Sequence, residues 1–338
     1  LLFFGRALPD AVASEIAAGH TDVVVVDYLL RSVVCRAEGL PVPHALVMHM
    51  AHHHHAQPVN DDRAEWSQRW QYEQVNTIRV EQGLARLPVG PASVSVALAE
   101  RAAAALVVMT EEFDGWSGPP PSVVHVGPIA EEVEVAEWDS PWAADDRRPL
   151  IVISMSTMYM HQEEVLRRVA ASIANMNARV LVLTGSELEP GEVAWPPGVQ
   201  VRRYVPHHKV LPGAALVVTH GGLGTLMAAF AAGVPTLCLP LGRDQVANAH
   251  KAEALGASMS LPPDSGTADI HGNVEAALAS RSLRAGALRM AVRLRGYGAG
   301  ARAIEVLERL GSRGQKELSQ RQPRETLVPL RETAWGEA

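Results

Sequence analysis

Val218-Thr219-His220-Gly221-Gly222-Leu223-Gly224-Thr225 reads as a strand that ends in a polar pair, turns on glycine and enters a helix. The β-formers Leu216 and Val217 lead into it, and an Ala-rich helical run, Leu226 to Ala232, follows. Glycine lets a backbone approach an anion closely, and the first N–H groups of a helix have no internal partners, so a phosphate is favoured there. A glycine-rich strand-to-helix turn can also do no more than close a tight corner. His220 tips the reading toward an anion site, because it can donate to a phosphate or sugar oxygen and is a poor choice for a purely structural turn.

Moving outward, strands are expected near 150–154, 179–183, 215–218, 235–239 and 257–260, each followed by a helix or loop. Upstream, residues 6–18 suit a helix, 21–27 a buried strand, about 32–38 a helix and 45–48 a strand. A polar helical stretch over 60–86 carries Trp66 and Trp70 one turn apart, and strands follow at 105–109 and 123–126. Alternation of this kind implies an α/β protein built on parallel, doubly wound sheets. Between Gly127 and Pro149 the text turns to acidic residues, prolines and tryptophans without a period, which reads as a linker. Residues 281–310 read as helix broken around Gly296-Tyr297-Gly298, and the Gln-rich, charged segment 311–338 reads as disordered.

Composition narrows the function. The chain has 338 residues, 47% apolar and 20% charged, with a net charge of −7, so it offers no electrostatic case for a nucleic-acid partner. Cys35 and Cys238 lie far apart in apolar segments, as buried free thiols would. No apolar run approaches the roughly 18 residues of a membrane span, and a cytoplasmic protein is expected. His52-His53-His54-His55 on an extended loop cannot all face one ion, so no catalytic metal is expected there. The opening Leu1-Leu2-Phe3-Phe4-Gly5, without an initiating Met, reads as the inside of a folded element, and a missing N-terminal segment is expected.

Tyr204-Val205-Pro206-His207-His208, Leu211-Pro212, the glycine turn, Gly233-Val234-Pro235, Pro240, Asp244-Gln245, Asn248-Ala249 and Gly256 together resemble the donor-binding signature of GT-B, family 1 nucleotide-sugar glycosyltransferases. The likeness is to the bacterial natural-product and antibiotic branch, related to the plant UDP-glycosyltransferases. Pro149 to Thr157 is similar to the first strand and loop of that family's C-terminal domain, and Asn76-Thr77-Ile78-Arg79, Gly83-Leu84 and Val126-Gly127-Pro128 fit its N-terminal domain and linker entrance. The resemblance implies two Rossmann-like domains with a cleft between them: an acceptor domain at 1–127 lacking its first strands, a linker at 128–148, a donor domain at 149–310, and the tail.

Residue roles come from the same resemblance. His220, Gly221, Gly222, Gly224 and Thr225 would hold the diphosphate with Ser156 and Thr157; Tyr204 would lie against the base and the Val205 backbone would read its edge. Asp244 and Gln245 would bind sugar hydroxyls, although Asp244 as a helix cap and Ser156 as a turn residue stay open as alternatives. Met48, Met50, Trp66 and Trp70 would form an apolar acceptor wall, or simply pack the core. Asp27 matches the carboxylate that orients a base histidine, yet the expected histidine is absent upstream, where His20 beside Gly19 suits a helix terminus. The expected partners are a dTDP- or UDP-sugar and a small hydrophobic acceptor, with no cofactor or metal and with a homodimer left open. The expected reaction is inverting transfer; a truncated, non-catalytic homologue and a GT-B sugar-nucleotide isomerase are the competing readings.

Overall fold

A computed structural model describes residues 5, 7–51, 62–90, 92–129, 138–155, 162–186, 188–298 and 300–320. The first unit runs α1 (Ala7–Ala18), β1 (Val24–Asp27), α2 (Arg31–Glu38), β2 (His44–Met48), α3 (Asp62–Glu81), α4 (Val94–Ala99), β3 (Ala104–Val107), α5 (Glu111–Asp114) and β4 (Val123–His125). Its sheet has the order β1-β2-β3-β4 and every pairing is parallel. Valine, leucine and alanine dominate β2 and β3 because helices cover both faces of a parallel sheet; all four residues of β3 are buried. Helix starts carry the expected caps: the Ser93 hydroxyl accepts from Val96 N at 3.4 Å, and the Thr110 hydroxyl from Phe113 N at 3.2 Å.

Asn76 and Arg79, on the last turns of α3, hold the segment that follows. Asn76 donates to Leu87 O at 2.9 Å and accepts from Leu87 N at 2.6 Å. The buried Arg79 guanidinium forms a two-pronged pair with Glu38 of α2, at 2.5 and 2.9 Å, and donates to Ala85 O at 2.7 Å.

The second unit comprises β5 (Leu150–Ser154), α6 (Glu163–Ile173), β6 (Arg179–Leu183), β7 (Val199–Arg202), α7 (His207–Val210), β8 (Leu216–Thr219), α8 (Leu223–Ala231), β9 (Thr236–Cys238), α9 (Gln245–Ala254), β10 (Ser258–Ser260), α10 (Thr267–Ala279) and α11 (Arg281–Arg295). Its parallel sheet has the order β10-β9-β8-β5-β6-β7. From β5 the chain winds outward to β7, then crosses back to lay β8 on the other side of β5. The reversal opens a crevice at the carboxyl ends of β5 and β8, where open α/β sheets bind ligands. The register pairs Ser154 with Thr219 at that crevice.

Two boundaries differ from the sequence expectation. A further helix, α12 (Ala301–Gln320), extends through residues expected to be disordered from 311 onward; residues 321–338 lie outside the described residues. Nor does α12 stay with the second unit, to which 149–310 was assigned: Ala303 and Val306 pack with Ala45, Ala104, Leu106 and Val126 of the first sheet. An apolar stripe at helical spacing drives that return. The units also share one apolar cluster that includes Val26, Met48, Met109 and Phe113 from the first and Leu226, Met227, Phe230 and Ala249 from the second. Phe113 and Phe230 meet with ring centroids 6.5 Å apart. Among the described residues no helix is long and apolar enough to cross a membrane.

Tyr297, in the break between α11 and α12, fastens this junction. Its hydroxyl accepts from Glu111 N at 3.0 Å, at the start of α5, and Arg293 pairs with Glu112 at 3.4 Å. Gly127 lies under the Tyr297 ring at φ +73°, and any Cβ there would overlap the ring. Gly127→Ala is therefore expected to destabilise the fold by about 2 kcal/mol or more, through backbone strain and displacement of Tyr297. Urea unfolding checks this, and an unchanged midpoint would contradict it.

Candidate active site

The glycine turn sits at the switch-point crevice. Gly221 has φ +85°, and a Cβ on it would lie 2.9 Å from Gln245 O, so both conformation and space require glycine. Gly222 caps α8 with extended backbone and no side-chain hydrogen bond. The His220 ring occupies the space that a Cβ at Gly222 would need. Missing that atom, the chain can lay an imidazole against the start of a helix. The N–H groups of Leu223, Gly224 and Thr225 precede the first intrahelical bond, which runs from Leu226 N to Gly222 O at 3.1 Å. Nothing lies within 4 Å of the Cβ position at Gly224, so this first turn is open on one side.

His220 is buried, 8% exposed, and its Nδ1 lies 3.3 Å from the Thr219 hydroxyl. Burial pushes its pKa down to about 4, opposed by the negative charge of Asp244 and by a hydrogen bond with the Ser154 backbone. At neutral pH the ring is an uncharged hydrogen-bonding group beside the positive end of the α8 dipole. On the β5 side, Ser154 Oγ is 3.2 Å from His207 Nε2, and burial lowers the pKa of His207 as well. Tyr204 is 56% exposed, with its ring open to solvent, while Val205 is buried in the core. Ser156 and Thr157 lie outside the described residues.

The loop between β9 and α9 is held by its own side chains. Gln245 Oε1 accepts from Leu241 N at 2.8 Å and Gly242 N at 3.2 Å, across a bend where Arg243 takes φ +57°. Asp244 precedes α9 but makes no side-chain cap hydrogen bond, so capping does not account for it. Its Oδ2 instead accepts from Asn248 Nδ2 at 2.8 Å, and the same amide donates to Gly221 O at 3.2 Å. Asn248 thus joins the Asp244 loop to the glycine turn, a role its place one turn into an Ala-containing helix does not announce.

On the first unit, Asp27 ends β1. Its Oδ1 accepts from Leu29 N at 2.8 Å, and its Oδ2 lies 3.2 Å from His49 Nε2. A histidine from downstream, immediately after β2, thus stands beside Asp27. Parallel register places Asp27 opposite Val47, and His49 follows on the same face. Tyr28 packs edge-on against His49, with ring centroids 5.2 Å apart at 67°. Burial raises the Tyr28 phenol pKa, and the charges of Asp27 and Asp244 raise it further. Tyr28 thereby feels the charge of a carboxylate from each unit.

The four residues of the expected apolar wall separate. Met48 is 1% exposed within the core cluster, so it serves packing, and Met50 packs partly buried against the same cluster. Trp66 and Trp70 are exposed on α3, at 67% and 41%. Another buried pair, His125 Nε2 with Asp114 Oδ2 at 2.8 Å, is closed to solvent. His52 to His55 lie outside the described residues, and among the described residues no group of three or more His, Cys, Asp or Glu is placed to hold a metal.

Residues 167–303 match the family described as erythromycin biosynthesis protein CIII-like, C-terminal domain. Over 188 residues, 55% of this chain, the sequence is 32% identical to demethyllactenocin mycarosyltransferase of Streptomyces fradiae, covering 40% of that protein. It is 31% identical over 225 residues, 63% of this chain, to the TDP-daunosamine transferase DnrS of Streptomyces peucetius, covering 48% of it. The chain thus spans less than half the length of these curated relatives. The fold is the GT-B fold of solved glycosyltransferases: the crystal structure of glycosyltransferase VinC in complex with dTDP superposes with a TM-score of 0.66 at 19% identity, over 90% of this chain and 76% of that one.

The low pKa of His220 has a consequence for stability. Its unfolded value is 6.5 and its folded value about 4, so between these pH values the unfolded chain binds a proton that the folded chain does not. Stability is expected to fall as pH drops through that window, by about 3 kcal/mol from this group at most. His220→Asn should flatten the pH dependence of unfolding between 6.5 and 4, and equal slopes for both proteins would contradict the assignment.

Proposed function

We propose that this chain, whose residues 167–303 match the family described as erythromycin biosynthesis protein CIII-like, C-terminal domain, is part of an inverting glycosyltransferase. It moves a sugar from a dTDP- or UDP-sugar to a hydroxyl of a small apolar natural product. The observation that carries this reading is the neutral His220 ring laid against the open first turn of α8 at the carboxyl ends of β5 and β8. Support for a thymidine donor comes from the names of two similar proteins, a TDP-daunosamine transferase and a structure holding dTDP.

In this reading the diphosphate sits on the N–H groups of Leu223, Gly224 and Thr225, with an N–H of His220 donating to a phosphate oxygen. Ser156 and Thr157, which follow β5 in the sequence, are assigned to the same diphosphate. The exposed Tyr204 ring stacks on the base while the Val205 backbone meets its edge. Asp244, steered by Asn248, accepts from sugar hydroxyls; Gln245 keeps the loop in shape with its carbonyl and stands next to the sugar. The acceptor oxygen attacks the anomeric carbon from the face opposite the diphosphate. As that bond forms, charge grows on the leaving diphosphate, and fixed N–H dipoles stabilise it without reorganising. No metal is called for in this scheme.

Calorimetric titration with dTDP and UDP tests the donor site. His220→Ala should weaken binding about tenfold to a hundredfold, the range for a lost hydrogen bond to a charged group. Equal affinity in the variant would remove His220 from the site, and failure of the unaltered chain to bind either nucleotide would overturn the reading.

A further inference from the structure

We infer that Arg243 carries the positive charge that meets the donor diphosphate, reaching it from the loop between β9 and α9; this rests on the transfer reading above. The charge balance of the crevice calls for such a group. A nucleoside diphosphate is a multiply charged anion, and Asp244 sets a further negative charge beside it. The field of Asp244 already reaches the His220 ring, which brings no charge of its own near neutral pH because burial holds its pKa at about 4. Against this, the first turn of α8 offers about half a positive charge. An anion brought out of water beside a carboxylate needs a full opposite charge, and the guanidinium fork matches phosphate oxygens two at a time.

Arg243 stands where that charge is missing. The place of a Cβ on Gly221 is 2.9 Å from Gln245 O, and Asn248 bonds both Gly221 O and Asp244. The loop carrying Arg243 therefore lies directly against the glycine turn, with Arg243 next to Asp244 and two residues before Gln245. Its side chain is exposed, and among the described residues nothing pairs with it. Other cations of the region are engaged. Arg203, beside Tyr204, is held by Glu189 at 2.8 Å and donates to Ser186 O at 2.6 Å. Lys251, further along α9, is turned toward Gly115 of the first unit, and Arg31 of α2 is half-buried in the field of Tyr28 and Cys35.

The backbone shows that Arg243 does not serve local stability. Among the described residues it is the one non-glycine with positive φ, +57°, a left-handed conformation that costs an L-residue free energy. It also precedes α9 directly, at the helix end where the dipole disfavours a cation. Glycine would remove both costs and would also remove the charge.

The test titrates the full chain with dTDP by calorimetry at low and high salt, and with thymidine by NMR, alongside urea unfolding. Arg243→Gln should weaken dTDP about tenfold or more, the range for lost hydrogen bonds to a charged group, and flatten the salt dependence of its affinity. Thymidine, which lacks the phosphates, should bind both proteins within about twofold. Arg243→Gly should weaken dTDP as much without lowering the urea midpoint, since glycine takes the left-handed turn freely. Unchanged dTDP affinity in Arg243→Gln, with dTDP bound by the unaltered chain, would overturn the assignment and leave the transfer reading standing. Equal weakening of thymidine and dTDP, or a lowered midpoint in Arg243→Gly, would make Arg243 a brace of the loop and would likewise overturn it. Failure of the unaltered chain to bind dTDP would remove both.

Discussion

The absence of two Cβ atoms, at Gly221 and Gly222, is the constraint on which the site depends. At Gly221 the backbone takes a left-handed turn and lies so close to Gln245 that a side chain would strike its carbonyl. At Gly222 the same economy of atoms admits the His220 ring against the helix start. Burial then keeps that ring neutral, which suits it to donate a hydrogen bond without bringing a second charge to compensate. Asn248 completes the arrangement by bonding both the turn and Asp244, so the glycine turn and the Asp244 loop are fixed relative to each other by one amide.

Much of the second unit was legible before any coordinates. Strands such as Leu150–Ser154 and Arg179–Leu183 are short apolar runs bounded by polar or turn residues, a pattern that parallel sheets impose. Val199–Arg202 escaped because its residues are only half-buried at the sheet edge, where packing demands little of composition. The path of α12 escaped for a different reason: an amphipathic stripe says that a helix buries a face, and nothing local says against which sheet.

Site residues divide along the same line. His220 and its glycines form one contiguous motif that local geometry assembles, and Asp244, on the loop after β9, is tied to it by Asn248. The pairing of Asp27 with His49 depends on the register between β1 and β2, a non-local quantity that shifts every neighbour if it slips by one residue. Met48 shows the converse: an apolar side chain near a cleft and one in the core look alike in sequence, and only the packing assigns it to the core. Asn76 and Arg79 are read as family marks from their order, whereas their bonds to Leu87, Ala85 and Glu38 make them braces of the first unit.

Whether the first turn of α8 receives the diphosphate of a sugar nucleotide is tested most directly by amide NMR of the labelled chain titrated with dTDP. The largest shifts should fall on the N–H groups of Gly222, Leu223, Gly224 and Thr225, with smaller ones at Asp244 and Asn248. Shifts that leave this turn untouched while dTDP binds would contradict it.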